Sequence, residues 1–188
     1  RDYKVTGVQT CALPISSVTK TELTKMHQLT EFVKKTASDL GFDQCGIARA
    51  QPLDEDARRL EQWLNKGMHG KMGYMENHFD LRIDPTRLVP GAKSVITLLH
   101  NYYPSEQQPD GLPKISKYAY GEDYHNVIRK KLNHFLSILK EKIGDINGRG
   151  FVDSAPVLER SWALRSGIGW IGKNGNLIHK KSGSFHFI

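Results

Sequence analysis

The sequence predicts a mixed α/β (α+β) fold, with one domain over residues 17–188. Three observations carry this expectation. Stretches with apolar residues at three- and four-residue steps alternate with short β-rich runs. Glycines and prolines fall at the joints between them, where turns need those residue types. The chain has 188 residues, 38% hydrophobic and 25% charged, the size and composition of a single globular domain.

The elements follow in order. Leu23, Met26, Leu29, Phe32, Val33, Ala37 and Leu40 form one apolar stripe of an amphipathic helix, and Gly41 is a suitable stop. Residues 43–48, with Cys45 and Ile47, read as a short strand. Asp54, Glu55 and Asp56 open a second helix, since carboxylates favour the positive end of the helix dipole. Ala57, Leu60, Trp63 and Leu64 form its buried face, and Gly67 ends it. A Met- and Gly-rich stretch runs from 69 to 78, and Pro85, Pro90 and Gly91 punctuate the loop after it. Residues 93–99 are a β-rich run that belongs inside a sheet. A polar loop with Pro104, Pro109, Gly111 and Pro113 leads to residues 115–120, which alternate toward another strand. Asp123 can cap a long helix with Val127, Ile128, Leu132, Phe135, Leu136, Leu139 and Ile143 inward. Residues 144–150 turn out of it, 150–153 form a short strand with an acidic end, and 158–166 form a short helix closed by Gly167. Residues 176–179 and 185–188 read as two strands joined by a turn around residues 181–184.

Residues 1–16 are set apart from this domain. The string VTGVQTCALPI at 5–15 looks like the translation of a sequencing-library adapter, or else a flexible tail. It has neither helical nor strand periodicity, and Pro14 would interrupt either element. At the other end, the run at residues 185–188 stops in mid-strand, which reads as a reading frame cut short.

Composition narrows the function classes. A formal net charge of +7 favours a polyanionic partner such as nucleic acid, although a solvated basic surface would give the same number. No apolar run approaches the ~20 residues of a membrane helix, and no basic-then-apolar leader pattern is present. The two cysteines, Cys11 and Cys45, cannot build a disulfide framework or a four-thiolate metal site, and a cytosolic setting is expected.

Several motifs invite a ligand. Gly167, Gly169 and Gly172 match the dinucleotide fingerprint, but they follow a helix and lead into a turn, the reverse of the required context. With Lys173 they nearly spell a phosphate-binding loop, yet Asn174 stands where a magnesium-binding hydroxyl should be. A glycine-rich turn that lets backbone approach something broad fits better. The histidines at 69, 78, 100, 125 and 134 lack metal-ligand spacing. Asp153 ends an apolar run before a turn. It is either a partly buried acid, able to hold a proton near neutrality, or the cap of the helix after it. Tyr102, Tyr103, Tyr118, Tyr120 and Tyr124 could stack on bases or on a flat cofactor, or serve as packing.

Five stretches together resemble epoxyqueuosine reductases: LEQWLNKGMHGKMGYM at 60–75, RIDPTRLVPGA at 82–92, KYAYGEDYH at 117–125, FVDSAPVLER at 151–160 and GIGWIGKN at 167–174. The resemblance covers roughly residues 22–186 and departs from the family pattern at Gly175-Asn176 and at His186. It implies a nitroreductase-like, cobalamin-binding domain, truncated before a ferredoxin-like iron–sulfur module. It also implies a reaction: epoxyqueuosine at the tRNA wobble position is reduced to queuosine by cobalamin, with electrons from two [4Fe-4S] clusters and a reducing donor. By the same resemblance Asp153 is the proton donor. Arg82, Tyr120, His125, Asp153, Arg160, Lys173, Asn174 and Leu177 line the cobalamin and substrate cavity. A cytoplasmic monomer with tRNA as partner, no membrane and no cluster ligands in this chain is expected, and the 188 residues alone should be inert. Two alternatives stand beside it: a corrinoid-dependent reductase of a small molecule, and a non-enzymatic tRNA-binding module.

Overall fold

The structure, a computed structural model, describes residues 20–153 and 155–188. The reading of residues 1–16, including Cys11, therefore lies outside the described residues, as does Ser154. Among the described residues, six α-helices and five strands follow in order: α1 (Lys20–Asp39), β1 (Gln44–Arg49), α2 (Asp54–Asn65), α3 (Phe79–Ile83), α4 (Pro85–Leu88), β2 (Ser94–Asn101), α5 (Tyr124–Ile143), α6 (Glu159–Arg165), β3 (Trp170–Ile171), β4 (Leu177–Ile178) and β5 (His186–Phe187). The fold is mixed α/β, as the alternation predicts. Its main sheet has the order β1-β2-β5, all antiparallel, and β3 pairs with β4 in a second, two-stranded sheet.

β2 organises the core because successive side chains of a strand point to opposite faces. Leu98 faces one way, into a cluster with Val33 and Ala37 of α1, Phe42, and Phe135 and Leu139 of α5. Leu99 faces the other way and packs with Ala163 of α6, Ile168 and Leu177. A third cluster joins Ala48 of β1 to Leu53 and Trp162. The main sheet is thus covered by α1 and α5 on one face and α6 on the other, and each buried Leu or Phe contributes about 1.5–3 kcal/mol.

Helix ends follow the chemistry read from the sequence. Asp123 caps α5 by accepting the His125 amide at 2.9 Å. After α6, Gly167 takes a φ of 76°, and two bonds close the end: Gly167 N to Leu164 O at 3.1 Å and Ile168 N to Ala163 O at 3.3 Å. This pairing satisfies carbonyls that a helix terminus otherwise leaves bare, and it needs a left-handed residue.

Four expectations are corrected. Residues 115–120 form no strand. Lys117–Ala119 is a single 3-10 turn, Ile115 is exposed, and the Ile115 amide donates to the Gln108 side chain at 3.0 Å, so no buried face rewards extension. Residues 150–153 form no strand either. Val152 alone is buried, and Asp153 turns left-handed at φ 49°, which ends any extended run. The two terminal strands exist but do not pair with each other: β4 joins β3 and β5 joins β2, with one bridge at His179 and Gly183 between them. The apolar stripe of α1 is buried only toward its C-terminal end, and Leu23, Met26 and Leu29 stay exposed.

The glycine run is also explained by the chain itself. A Cβ on Gly169 would lie 2.5 Å from the Ile178 carbonyl oxygen, and one on Gly172 would lie 2.7 Å from Ile178 Cδ1. The close approach is therefore to β4 and needs no ligand. Gly169→Ala should push β3 off β4 and cost about 1–3 kcal/mol, read as a lowered urea midpoint with an unchanged slope. A midpoint equal to that of the parent chain would show that the strand pair relaxes freely.

Candidate functional site

An open cleft of about 310 Å³ lies where α6, β4 and β5 meet the loop after α5, with Val152, Asp153, Glu159, Arg160, Leu177 and Phe187 on its walls. Three local features place its polar groups. Val152 is buried and anchors the loop, so the next residue, Asp153, is held at the cleft in a left-handed turn that an aspartate tolerates. Glu159 and Arg160 open α6, which is fixed to the sheet by Trp162 and Ala163. Phe187 belongs to β5, whose pairing to β2 sets its depth.

Asp153 is the best-held acidic group. The Tyr124 hydroxyl donates to its Oδ2 at 2.5 Å, and His125 Nε2 lies 3.8 Å from the same oxygen. His125 is held in turn by Asp123, whose Oδ1 lies 2.8 Å from Nδ1 and draws a proton onto that nitrogen. The Tyr124 ring stacks on His125 at 4.0 Å and on Phe187 at 4.0 Å, with only 7° between the latter planes. Burial, with the Asp153 carboxylate adding to it, pushes the Tyr124 phenol far above its usual range, so Tyr124 stays a hydrogen-bond donor at any working pH. The His125 contact holds Asp123 below the usual carboxylate range.

Asp153 differs from both sequence readings. Its side chain is 51% exposed, so it is not shielded as a buried acid would be. It does not cap α6 either, because Leu158 holds the cap position without a side-chain bond. Glu159 is the more shielded carboxyl. Burial raises its pKa, the Asp153 charge adds to the rise, and its own amide with Arg82 and Arg160 pulls the other way.

The expected site residues fall into three groups. Asp153, Arg160 and Leu177 share the cleft, with Leu177 also in the core. Arg160 Nη1 donates to the Gly175 carbonyl and ties α6 to the β3–β4 turn. His125 stands behind Asp153, and Arg82 reaches the Tyr74 carbonyl at 3.3 Å while its buried Nε has no partner. Tyr120, Lys173 and Asn174 are not on the cleft walls. Tyr120 follows the 3-10 turn, Lys173 is exposed at the tip of the β3–β4 turn, and Asn174 shapes that turn by accepting the Asn176 amide at 3.2 Å. Sequence reasoning missed Tyr124 as the partner of Asp153, Phe187 as the ring stacked on Tyr124, and Glu159 as a cleft carboxyl. The only signal was adjacency, since Tyr124 precedes His125 and Glu159 precedes Arg160.

Cys45 is a poor nucleophile, because burial pushes its thiol up to about 11. No described helix is long and apolar enough to cross a membrane.

A family model described as "Epoxyqueuosine reductase QueG, DUF1730" matches residues 82–154. The epoxyqueuosine reductase of Cyclobacterium marinum is 58% identical over 168 residues, which cover 88% of this chain and 54% of the relative. The chain thus spans about half the length of the curated relatives it matches. Among solved structures, an epoxyqueuosine reductase with an epoxyqueuosine-modified tRNA-Tyr stem loop aligns with a TM-score of 0.75 and 29% identity, covering 86% of this chain and 44% of that one. A Bacillus subtilis epoxyqueuosine reductase, with its catalytic aspartate loop swung out of the active site, aligns with a TM-score of 0.72 and 29% identity at the same coverage.

Proposed function

This chain belongs to the epoxyqueuosine reductase QueG family, and from that membership we propose that it forms the substrate-facing part of an enzyme reducing epoxyqueuosine to queuosine in tRNA. The observation that carries the reading is the setting of Asp153. It is a carboxyl at the edge of an open cleft, accessible to a ligand, and oriented by Tyr124 and His125. An epoxide becomes an alkene only by losing its oxygen as water, and that oxygen must be protonated as electrons arrive. A positioned acid is worth about 10²–10⁴-fold in such a step.

The described residues fit one edge of a corrin. The cleft is at the lower end of the ~300–1,000 Å³ that encloses drug-sized ligands, so it can seat part of so large a cofactor and not surround it. Arg160, on the cleft wall, would donate hydrogen bonds to it, and Arg82, off that wall, is among the residues that the resemblance adds. Tyr120, His125, Lys173, Asn174 and Leu177 complete the proposed set. When bound, cobalamin supplies electrons to the substrate from its reduced cobalt. The protein's part is to exclude water, orient the nucleoside and present the Asp153 proton. The chain's two cysteines are too few for a four-cysteine cluster, so the [4Fe-4S] clusters that the resemblance implies have no ligand set within it. The net charge of +7 suits the phosphates of a tRNA stem loop. A cytoplasmic, monomeric enzyme with a reducing partner completes the proposal.

The test is nucleoside analysis of an epoxyqueuosine-bearing tRNA stem loop. The protein is expressed from the gene across both ends of this reading frame and loaded with cobalamin and iron. Conversion to queuosine that depends on cobalamin is the expected result. A loaded protein that leaves the epoxide intact, or reduces only small-molecule substrates, would overturn the proposal.

A further inference from the structure

The cleft holds a second carboxyl that the proposed chemistry leaves without a task. Glu159 opens α6 and lines the cleft with Asp153 and Arg160, yet it is half-buried where Asp153 is half-exposed. Among the described residues no ion pair reaches it: the Arg160 guanidinium turns to the Gly175 carbonyl and that of Arg82 to the Tyr74 carbonyl. Burial is the main influence on its carboxyl and shifts its pKa upward, with its own amide and the Arg82 and Arg160 charges pulling the other way.

Reducing an epoxide to an alkene takes two electrons and two protons. Both C–O bonds break, a C=C bond forms, and the oxygen leaves as water. One carboxyl delivers one proton. A second proton needs a second donor, and the cleft offers two carboxyls in different settings, one half-exposed and hydrogen-bonded, the other half-buried. The cleft shows that pairing on two independent supports, the loop anchored by Val152 and the first turn of α6 anchored by Trp162. The other titratable groups nearby are less suited. His125 approaches the Asp153 oxygen that Tyr124 engages and is not on the cleft wall. His186 is on the wall, but burial lowers its pKa and keeps it neutral.

We propose that Glu159 is the second acid of this cleft, giving the departing oxygen the proton that Asp153 does not, while a low-potential reductant gives up two electrons. This rests on the reading of the cleft as an epoxyqueuosine reductase site.

Two measurements test it. In this chain without cofactor, infrared spectra should show a protonated carboxyl band that persists above the ordinary glutamate range, near pH ~4.3, and is missing from Glu159→Gln. In the intact, cofactor-loaded protein, Glu159→Gln should slow single-turnover reduction at least about tenfold with unchanged stem-loop affinity. Glu159→Asp should restore part of the rate and guards against a merely misfolded variant. A band that titrates like an ordinary glutamate, or a Glu159→Gln protein at the parent rate, overturns the proposal. An intact parent protein that leaves the epoxide untouched overturns the function itself, and this inference with it.

Discussion

If the proposed function holds, replacing Asp153 by asparagine in the intact protein should lower epoxide reduction by about 10²–10⁴-fold and leave stem-loop binding unchanged. Asparagine is the informative substitute at this position. It tolerates the left-handed backbone that Asp153 adopts at φ 49°, so the loop keeps its path. Its carbonyl oxygen can still accept the Tyr124 hydroxyl, so the contact that orients the side chain survives. Only the transferable proton is lost. Single-turnover conversion of a modified stem loop by the intact protein measures the effect, and a binding titration with the same RNA separates chemistry from affinity. A rate within about threefold of the parent would remove Asp153 from the reaction, since a general acid is worth far more than that.

Trp162→Ala should cost about 3–5 kcal/mol, the largest stability loss expected from a single change in this chain. The indole is 2% exposed and packs with Ala48 and Leu53, with Val95, Val157 and Leu158 around them. α6 has seven residues, too few to persist as a helix without tertiary packing. Removing the indole therefore opens a cavity under the helix whose first turn carries Glu159 and Arg160. Thermal unfolding followed by circular dichroism should show a midpoint lower by on the order of 10 °C. A shift worth less than about 1 kcal/mol would mean that α6 is held mainly by Leu99, Ile168 and Leu177 on its other side. Because the cleft depends on the same helix, the variant should lose stem-loop affinity as well, in contrast to Asp153→Asn.

The main helices and strands were legible because their signals are local. The spacing of Val33 and Ala37 in α1, and of Ile128, Phe135 and Leu139 in α5, marks faces that the structure buries. Asp123 as a cap and Gly41, Gly67 and Gly167 as stops are chemical requirements of helix ends, and the helices end as those residues predict. The segments at 115–120 and 150–153 misled because a local pattern does not supply a buried face: Ile115 stays exposed, and Val152 alone of its segment is buried before Asp153 turns left-handed. The N-terminal end of the α1 stripe shows the same limit, since apolar spacing without a facing surface leaves Leu23 and Met26 in solvent.

The site divides along the same line. Asp153, Arg160 and His125 were reachable from the motifs that contain them. That Tyr124 would hold Asp153 was not, because residues 29 apart meet only once α5 and β5 pack and Phe187 stacks on the tyrosine ring. The contrast between an accessible Asp153 and a shielded Glu159 was equally hidden, since burial belongs to the cleft and not to either residue. By itself the sequence determined the mixed α/β class, the approximate ends of α1, α2, α5 and α6, and the family that the chain resembles. Those depend on short-range spacing and on motifs preserved along the chain. Only the tertiary structure decided which strands pair, what the glycines at 169 and 172 make room for, and which carboxyl is shielded, because each of these depends on surfaces that come together from distant parts of the chain.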